Sequence, residues 1–214
     1  MLKLPLFDRP ELQRVLCLGA HCDDVEIGMG ATLAELARRR PDVEIQVCVL
    51  TGNKERTQET MVATAEMLGA HPKHDVDVFR FRNGHFPWQA TEIKAHIEKY
   101  KAFDPQLVFT HYRHDHHQDH RTVSELTANT FRDHLVLEYE ILKYDGDLGN
   151  PNVFVPLTEK QLESKIDTLM RCFKSQLDKQ WFTPDVFHAM ARMRGVHGAT
   201  PYAEAFYCNK MSLL

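Results

Sequence analysis

The sequence predicts an α/β protein built on a Rossmann-like open, mainly parallel sheet with helices on both faces. Short, continuous apolar runs alternate with amphipathic segments over residues 14–142, and strands of that kind are typical of parallel sheets whose crossover helices cover both faces. With 43% hydrophobic residues in 214, the chain can bury a substantial core. We expect a single domain over residues 1–214, because no linker or repeat divides it.

Each predicted element has a local signal. The apolar runs of strand length lie at residues 14–20, 43–50, 75–81, 106–110 and 136–142, with a late strand at 203–207. The helical segments lie at about residues 29–40, 58–68, 91–101, 121–133 and 158–177. Gly69 is a C-cap signal after the second helix, and Thr158 with Gln161 forms a capping-box pattern. Residues 146–157 predict a loop with a short extended segment.

Composition excludes several classes of function. The chain has 26 basic and 30 acidic residues without a long run of either sign, so nothing in it favours a nucleic-acid partner. We expect no membrane span and no secretory signal, and therefore a cytoplasmic protein. Five cysteines without a CxxC spacing indicate neither a disulfide framework nor a structural zinc site. The sequence leaves open whether the protein forms a homo-oligomer.

Two polar segments follow predicted strands. The first strand runs into AHCDDVE, residues 20–26, and the fourth runs into HYRHDHHQDH, residues 111–120, which holds five of the chain's 13 histidines. Ligands of open parallel sheets bind beyond the carboxyl ends of the strands. Capping aspartates or a solvated histidine loop would explain either segment alone, but their convergence on one sheet edge favours a shared site.

The residue types in these segments suit a divalent metal. His21 and Asp24 are three residues apart in a strand-to-helix loop and offer a nitrogen and an oxygen ligand. A catalytic zinc ion with one open position needs three protein ligands. We expect the third at the start of the next helix, which favours His117 or His120 over the earlier histidines.

The same motifs carry a resemblance to a known family. AHCDDVEIGMGATLAEL followed by HDHHQDH resembles the LmbE-like, or PIG-L, family of zinc-dependent deacetylases of N-acetylglucosaminyl groups, whose signatures read AHPDDxE and HxDH. ERTQETMVATAEMLGA and RGVHGATPYAEAFY are similar to further family segments. Two positions depart from the family pattern, since Cys22 replaces a usual proline and Asn83 replaces a frequent aspartate.

The resemblance implies a role for each motif residue. One zinc ion per chain, or another divalent metal, would be bound by His21, Asp24 and His120. Asp23 would be the general base and a protonated His117 would stabilise the oxyanion, while Asp119 would orient a histidine. The implied reaction is hydrolysis of the N-acetyl group of a conjugated, N-acetylglucosamine-like sugar to a free amine and acetate.

Four further residues are candidates for substrate contact. Arg56 could reach a sugar hydroxyl or pair with Glu59 on its own helix. Trp88 could stack on a sugar ring or belong to the core. Tyr112 and Arg113 precede the histidines and could line the approach to them.

Three other functions fit parts of the sequence. Another zinc amidase or esterase could use the same scaffold, because one fold hosts many chemistries. Gly28 and Gly30 open a helix as in nucleotide-binding loops, but the third glycine of that motif is missing. A metal-binding module without catalysis would need the ligands but not Asp23, so substitution of Asp23 separates it from an enzyme.

Overall fold

A seven-stranded sheet forms the centre of the protein in the computed structural model, which describes residues 2–212. Its strands are β1 (Arg14–His21), β2 (Glu44–Thr51), β3 (His74–Val78), β4 (Leu107–His111), β5 (Leu135–Tyr139), β6 (Val153–Leu157) and β7 (Tyr202–Cys208). Their order is β3-β2-β1-β4-β5-β7-β6. The first five strands pair in parallel, and β7 runs antiparallel to both of its neighbours. The predicted fold class is confirmed.

Helices cover both faces of this sheet. They are α1 (Asp24–Arg39), α2 (Lys54–Leu68), α3 (Ala90–Ile97), α4 (Gln118–Thr130), α5 (Glu159–Cys172) and α6 (Pro184–His197). Alternate residues of β1 enter two separate hydrophobic clusters, because successive side chains of a strand point to opposite faces. Val15 packs in the cluster with residues of α1, α2, α5 and α6, whereas Leu16 packs with residues of α3 and α4. No helix within residues 2–212 combines the length and the apolar content that crossing a membrane requires.

Two helices begin earlier in the structure than the sequence predicted. Helix α2 begins at Lys54 rather than near residue 58, because the side chain of Asn53 caps it by accepting the N–H of Arg56. Helix α1 begins at Asp24 rather than near residue 29 and bends at Met29, whose φ is −149°. The capping box of Thr158 and the C-cap at Gly69 are confirmed.

Helix α6 was missed by the sequence prediction. Its buried positions are Phe187, Ala191, Arg194 and Gly195, so it has no apolar stripe of the usual width. Gly195 allows a close approach to the strand that follows, since a Cβ there would lie 2.5 Å from the carbonyl oxygen of Pro201.

The glycines at the start of α1 are explained by packing. A Cβ at Gly28 would overlap the ring of Tyr139, and one at Gly30 would lie 2.6 Å from the sulfur of Met67. Glycine permits such close contacts because it has no side chain. The two glycines therefore need no bound nucleotide to account for them.

Candidate metal centre and active site

The two polar segments meet at the carboxyl ends of β1 and β4. A cavity of about 640 Å³ opens there, and its wall includes His21, Asp23, Asp24, His117 and His120. The parallel direction of the two strands brings the segments together, since both leave the sheet at the same edge. The cavity is therefore the candidate active site.

Three predicted metal ligands form a small triangle at the base of this cavity. The Nδ1 atom of His21 lies 3.2 Å from Oδ2 of Asp24 and 3.1 Å from Nε2 of His120, and these last two atoms are 3.5 Å apart. An ion that binds tetrahedrally at about 2.0–2.1 Å from each ligand separates the ligand atoms by about 3.3 Å. The three atoms thus have the spacing that a zinc-sized ion requires.

Carboxylates behind the two imidazoles direct nitrogen lone pairs into the triangle. Nε2 of His21 lies 3.2 Å from Oδ2 of Asp119, and Nδ1 of His120 lies 2.9 Å from Oδ2 of Asp115. A carboxylate accepts a hydrogen bond, so each ring carries its proton on the outer nitrogen. The inner nitrogen of each ring is then free to bind a cation.

The carboxylates beside His21 favour a positive charge at that corner of the triangle, whereas burial and His111 lower the pKa of His120 to about 3. Burial alone would lower the pKa of His21, but Asp24 and Asp119 outweigh it and raise that pKa to about 10. Although burial opposes it, the surrounding imidazoles hold the pKa of Asp24 well below its ordinary value. A metal cation bound to His21 would replace the proton that these carboxylates otherwise attract.

Asp115 was missed by the sequence prediction. Its Oδ1 atom accepts the backbone N–H of His117 at 2.7 Å and lies 2.9 Å from Nζ of Lys143. Burial would raise the pKa of Asp115, but its contact with His120 and the charge of Lys143 lower it. The only sequence signal was an aspartate within the histidine cluster, and its spacing did not show which histidine it would face.

His111 and His117 differ from the two ligand candidates in how their nitrogens are occupied. Nε2 of His111 accepts the backbone N–H of Ala20 at 2.9 Å, which uses its lone pair. Nδ1 of His117 accepts the backbone N–H of Asp119 at 3.2 Å, so a neutral His117 carries its proton on Nε2. Burial and the nearby His21 lower the pKa of His117. This arrangement favours a neutral N–H donor over the protonated ring expected from the sequence.

Asp23 lies beside the triangle in a left-handed backbone conformation. Its φ is 110°, and its buried side chain makes no capping bond to α1. Oδ2 of Asp23 lies 2.9 Å from a guanidinium nitrogen of Arg56. Burial raises the pKa of the Asp23 carboxyl, and Arg56 opposes this rise. The side chain is thus held at the cavity wall rather than used as a helix cap.

Arg56 forms the ion pair with Glu59 that the sequence suggested, and a closer one with Asp23. Glu59 is 3.6 Å from Arg56, and its oxygens accept the N–H and O–H of Ser175 at 2.8 and 2.6 Å. Arg56 also lines the cavity. Its contact with a sugar hydroxyl stays a prediction.

The other three predicted substrate contacts lie outside the cavity. Trp88, Tyr112 and Arg113 are not among the described residues of its wall. Trp88 is 74% exposed, so it does not belong to the core. Tyr112 stacks on Tyr207 with ring centroids 3.9 Å apart, and Arg113 binds Glu138 at 2.5 to 3.2 Å. These protein contacts account for Tyr112 and Arg113 without a substrate.

Trp181 is an aromatic residue of the cavity wall that the prediction overlooked. It belongs to the segment between α5 and α6, together with Lys179, which also lines the cavity. Hydrophobic periodicity does not predict where such a connecting segment lies in the fold, because its apolar residues follow neither the strand nor the helix repeat.

The thiol of Cys22 does not point at the triangle. Its sulfur lies 3.5 Å from the carbonyl oxygen of Thr51, and a Cβ at Gly52 would lie 2.6 Å from it. Burial raises the pKa of the Cys22 thiol to about 12. These contacts direct the sulfur toward β2 and away from the three ligand atoms.

The fold and the site define a Rossmann-like protein with a candidate metal centre beyond its parallel strands. Residues 16–131, more than half of the chain, match the family PIG-L: GlcNAc-PI de-N-acetylase. The chain belongs to this family. Its membership confirms the resemblance noted in the sequence and the predicted enzyme class, an N-deacetylase of acetamido sugars.

Solved structures share the whole fold at low sequence identity. N,N'-diacetylchitobiose deacetylase from Pyrococcus horikoshii is 18% identical, with 92% of this chain and 83% of that chain covered and a TM-score of 0.69. The A40926 pseudoaglycone deacetylase Dbv21 is 19% identical, with coverage of 92% and 97% and a TM-score of 0.71. GalB, the 4-carboxy-2-hydroxymuconate hydratase from Pseudomonas putida KT2440, is 16% identical, with coverage of 94% and 98% and a TM-score of 0.72.

Proposed function

We propose that this N-deacetylase uses one divalent metal ion per chain to hydrolyse the acetamido group of a conjugated amino sugar. The observation that carries the proposal is the triangle of ligand atoms 3.1 to 3.5 Å apart next to Asp23. The ligand set is His21, Asp24 and His120. Two imidazoles and a carboxylate suit zinc, and other divalent ions that accept these ligands remain alternatives.

The residues around the triangle divide the chemistry among them. A bound ion supplies a water molecule of lowered pKa and polarises the amide carbonyl. Asp23 takes a proton from the attacking water, and Nε2–H of His117 donates to the oxyanion, a contribution of about 3–4 kcal/mol. As the C–N bond breaks, Asp23 returns its proton to the departing nitrogen. The products are acetate and a free amino sugar.

Two outer carboxylates act through the ligand histidines. Asp119 orients His21 and is itself fixed by the backbone N–H groups of Gly84 and Phe86 at 2.7 and 3.0 Å. This contact supports the orienting role predicted for Asp119. Asp115 has the same role toward His120.

The size of the cavity supports a substrate larger than one sugar ring. A volume of about 640 Å³ is typical of pockets that enclose ligands of several hundred daltons. Two proteins of this fold are named as deacetylases of N,N'-diacetylchitobiose and of a pseudoaglycone, both larger than a monosaccharide. The cytoplasmic location, the single domain and the oligomeric state stay predictions.

A pair of neighbouring substitutions tests the proposed function. Purified protein is incubated with a panel of N-acetylated sugars and glycosides, together with acetylated amino acids and acetate esters, and released acetate is measured. Asp23→Asn should keep one equivalent of metal, but its turnover should fall by about 10²- to 10⁴-fold, because asparagine cannot accept the proton. Asp24→Asn should instead bind metal weakly.

Three outcomes would contradict this assignment. Ordinary activity of Asp23→Asn would exclude Asp23 as the base. Acetate release from amino acids or esters but not from sugars would indicate another amidase or esterase. A metal-loaded protein without any of these activities would fit a metal-binding module.

A further inference from the structure

The wall of the active-site cavity has two sides of different chemistry. The metal triangle lies at the ends of β1 and β4, which are flanked in the sheet by β2 on one side and β5 on the other. At and beyond the ends of β2 and β3, the wall is mostly polar. This side includes Thr51, Asn53, Lys54, Arg56, Arg80 and Asn83. Such side chains suit the hydroxyl groups of a sugar.

The segment between α5 and α6 joins the wall on the same side. Glu59 of α2 accepts the N–H and O–H of Ser175 at 2.8 and 2.6 Å, so this segment is held beside α2. It brings Lys179 and Trp181 into the wall. The side beyond β5 is formed, among residues 2–212, by Ile141 and Lys143.

Ile141 provides the apolar surface on the β5 side. The ammonium of Lys143 is engaged by two carboxylates, at 2.9 Å from Asp115 and 2.7 Å from Asp147. Ile141 lines the cavity and is at the same time a buried member of the hydrophobic cluster that includes Tyr139. Close packing behind Ile141 leaves it little room to move. The wall is therefore apolar and rigid at this point.

The proposed reaction determines which side receives the acyl chain. Asp23 returns its proton to the departing nitrogen, so the nitrogen and its sugar lie toward Asp23. Asp23 lies on the β2 side, because its carboxylate is 2.9 Å from Arg56 of α2. The oxygen of the reacting carbonyl accepts the N–H of His117. The remaining substituent of the carbonyl carbon, the acetyl methyl, then points away from Asp23 and toward the β5 side.

We propose that the acetyl methyl packs against Ile141 and that Ile141 restricts the enzyme to short acyl groups. The inference rests on the proposed deacetylase function and specifies the acyl selectivity of the same site. A longer acyl chain would have to displace a side chain that the core holds in place. One additional methylene in a close-fitting apolar site changes kcat/KM by about 10- to 200-fold.

A series of acyl groups measures this restriction. The metal-loaded enzyme is assayed by release of amine from three methyl glycosides of glucosamine, which carry an N-acetyl, N-propionyl or N-butyryl group. The wild-type protein should prefer acetyl to butyryl by about tenfold or more in kcat/KM. Ile141→Ala should reduce this ratio about tenfold, because the shorter side chain leaves room for the longer acyl group.

Leu142→Ala is the matched control. It shortens a side chain of the same composition at the next residue, and Leu142 does not line the cavity. The acyl ratio of this variant should stay within about twofold of the wild-type ratio. If Ile141→Ala does not fold, Ile141→Val replaces it and should raise propionyl relative to acetyl about fourfold, as expected for one methylene.

A binding measurement separates acyl fit from the chemical step. The same three glycosides are titrated into the metal-free protein and followed by NMR. Wild-type protein should bind the butyryl glycoside more weakly than the acetyl glycoside, and Ile141→Ala should reduce this difference while Leu142→Ala keeps it.

The outcomes distinguish this inference from the proposed function. Equal kcat/KM for the three acyl groups in the wild-type protein, or the wild-type acyl ratio in a folded Ile141→Ala or Ile141→Val variant, would overturn the role of Ile141 and leave the deacetylase intact. If metal-loaded protein released no amine from any N-acylated sugar, the deacetylase would be wrong, and this inference with it.

Discussion

Two clusters of buried charged side chains contact helix α1, one at its bend and one at its first residue. At the bend, Glu204 accepts the backbone N–H groups of Ala31 and Thr32 at 3.1 and 2.6 Å. The ammonium of Lys165 lies 2.6 Å from Glu204 and donates to the carbonyl oxygen of Ile27 at 2.6 Å. At this cluster the chain supplies both charges.

The cluster at the first residue has a different composition. Oδ2 of Asp24 lies 3.2, 3.2 and 3.5 Å from nitrogens of His21, His111 and His120. No lysine or arginine of the described residues pairs with Asp24. The cluster therefore has ligands for a cation, and its positive charge comes from a proton on His21 or from a metal ion that replaces this proton. This difference separates a structural ion pair from a metal site.

Removal of a ligand should have the largest effect on metal binding. His120→Ala deletes one corner of the triangle. Loss of a residue that only orients a ligand lowers metal affinity by about 10- to 100-fold, and the loss in His120→Ala should be larger than that. His114→Ala, at an exposed histidine of the same segment, should keep a full equivalent. Metal analysis after gel filtration measures both. Equal metal loss in the two variants would mean that the histidine loop binds ions nonspecifically.

The ion pair at the bend should affect stability instead. Lys165→Met leaves the carboxylate of Glu204 buried without its cation, and the free energy of unfolding of the metal-free protein should fall by about 3–5 kcal/mol. The double variant Lys165→Met with Glu204→Gln should lose less. Urea unfolding gives these values, and titration of the folded variants should show unchanged metal affinity. If Lys165→Met lost metal to the same extent as His120→Ala, the two clusters would act as one site and the distinction between them would be wrong.

His117 should contribute to rate rather than to binding. His117→Ala removes the N–H donor to the oxyanion, so kcat should fall about 10²- to 10³-fold while the metal content stays at one equivalent. Steady-state acetate release and metal analysis on the same sample separate the two effects. If His117→Ala lost its metal, His117 would be a ligand.

The smallest of these effects should come from substitution of Asp115, which contacts the outer nitrogen of His120 behind the triangle. Asp115→Asn weakens the contact that holds the proton on Nδ1 of His120, so metal affinity should fall about 10- to 100-fold. Asp147→Asn is the matched control, because Asp147 contacts the same lysine, Lys143, but no ligand histidine. Competition with a chelator compares the two variants. If metal affinity fell more in Asp147→Asn than in Asp115→Asn, the effect would come from Lys143 and not from the contact between Asp115 and His120.

Periodicity predicted most of the fold but not the parts built from unusual residues. Strands β1 to β5 were all predicted, because apolar runs and strand ends follow from burial on both faces. Helix α6 was missed because its buried face includes Arg194 and Gly195. The start of α1 was placed too late because Gly28 and Gly30, which have low helix propensity, lie within its first two turns.

For the site, spacing left His117 and His120 open as the third ligand, the family resemblance implied His120, and neither predicted how the atoms would be arranged. The sheet edge and the motifs brought His21, Asp24 and His120 together. The distinction between His111, His117 and His120 depends on which backbone N–H or carboxylate occupies each ring nitrogen, and a sequence does not contain that information. The same holds for the pairing of Arg56 with Asp23 in addition to Glu59.

Anomalous diffraction at the zinc absorption edge, from crystals of the zinc-loaded protein, tests the central claim most directly. We expect one peak per chain, about 2.0–2.2 Å from Nδ1 of His21, Oδ2 of Asp24 and Nε2 of His120. Asp23 and His117 should lie outside bonding distance. Two peaks per chain, or one peak bonded to His111 or His117 in place of His120, would contradict the account.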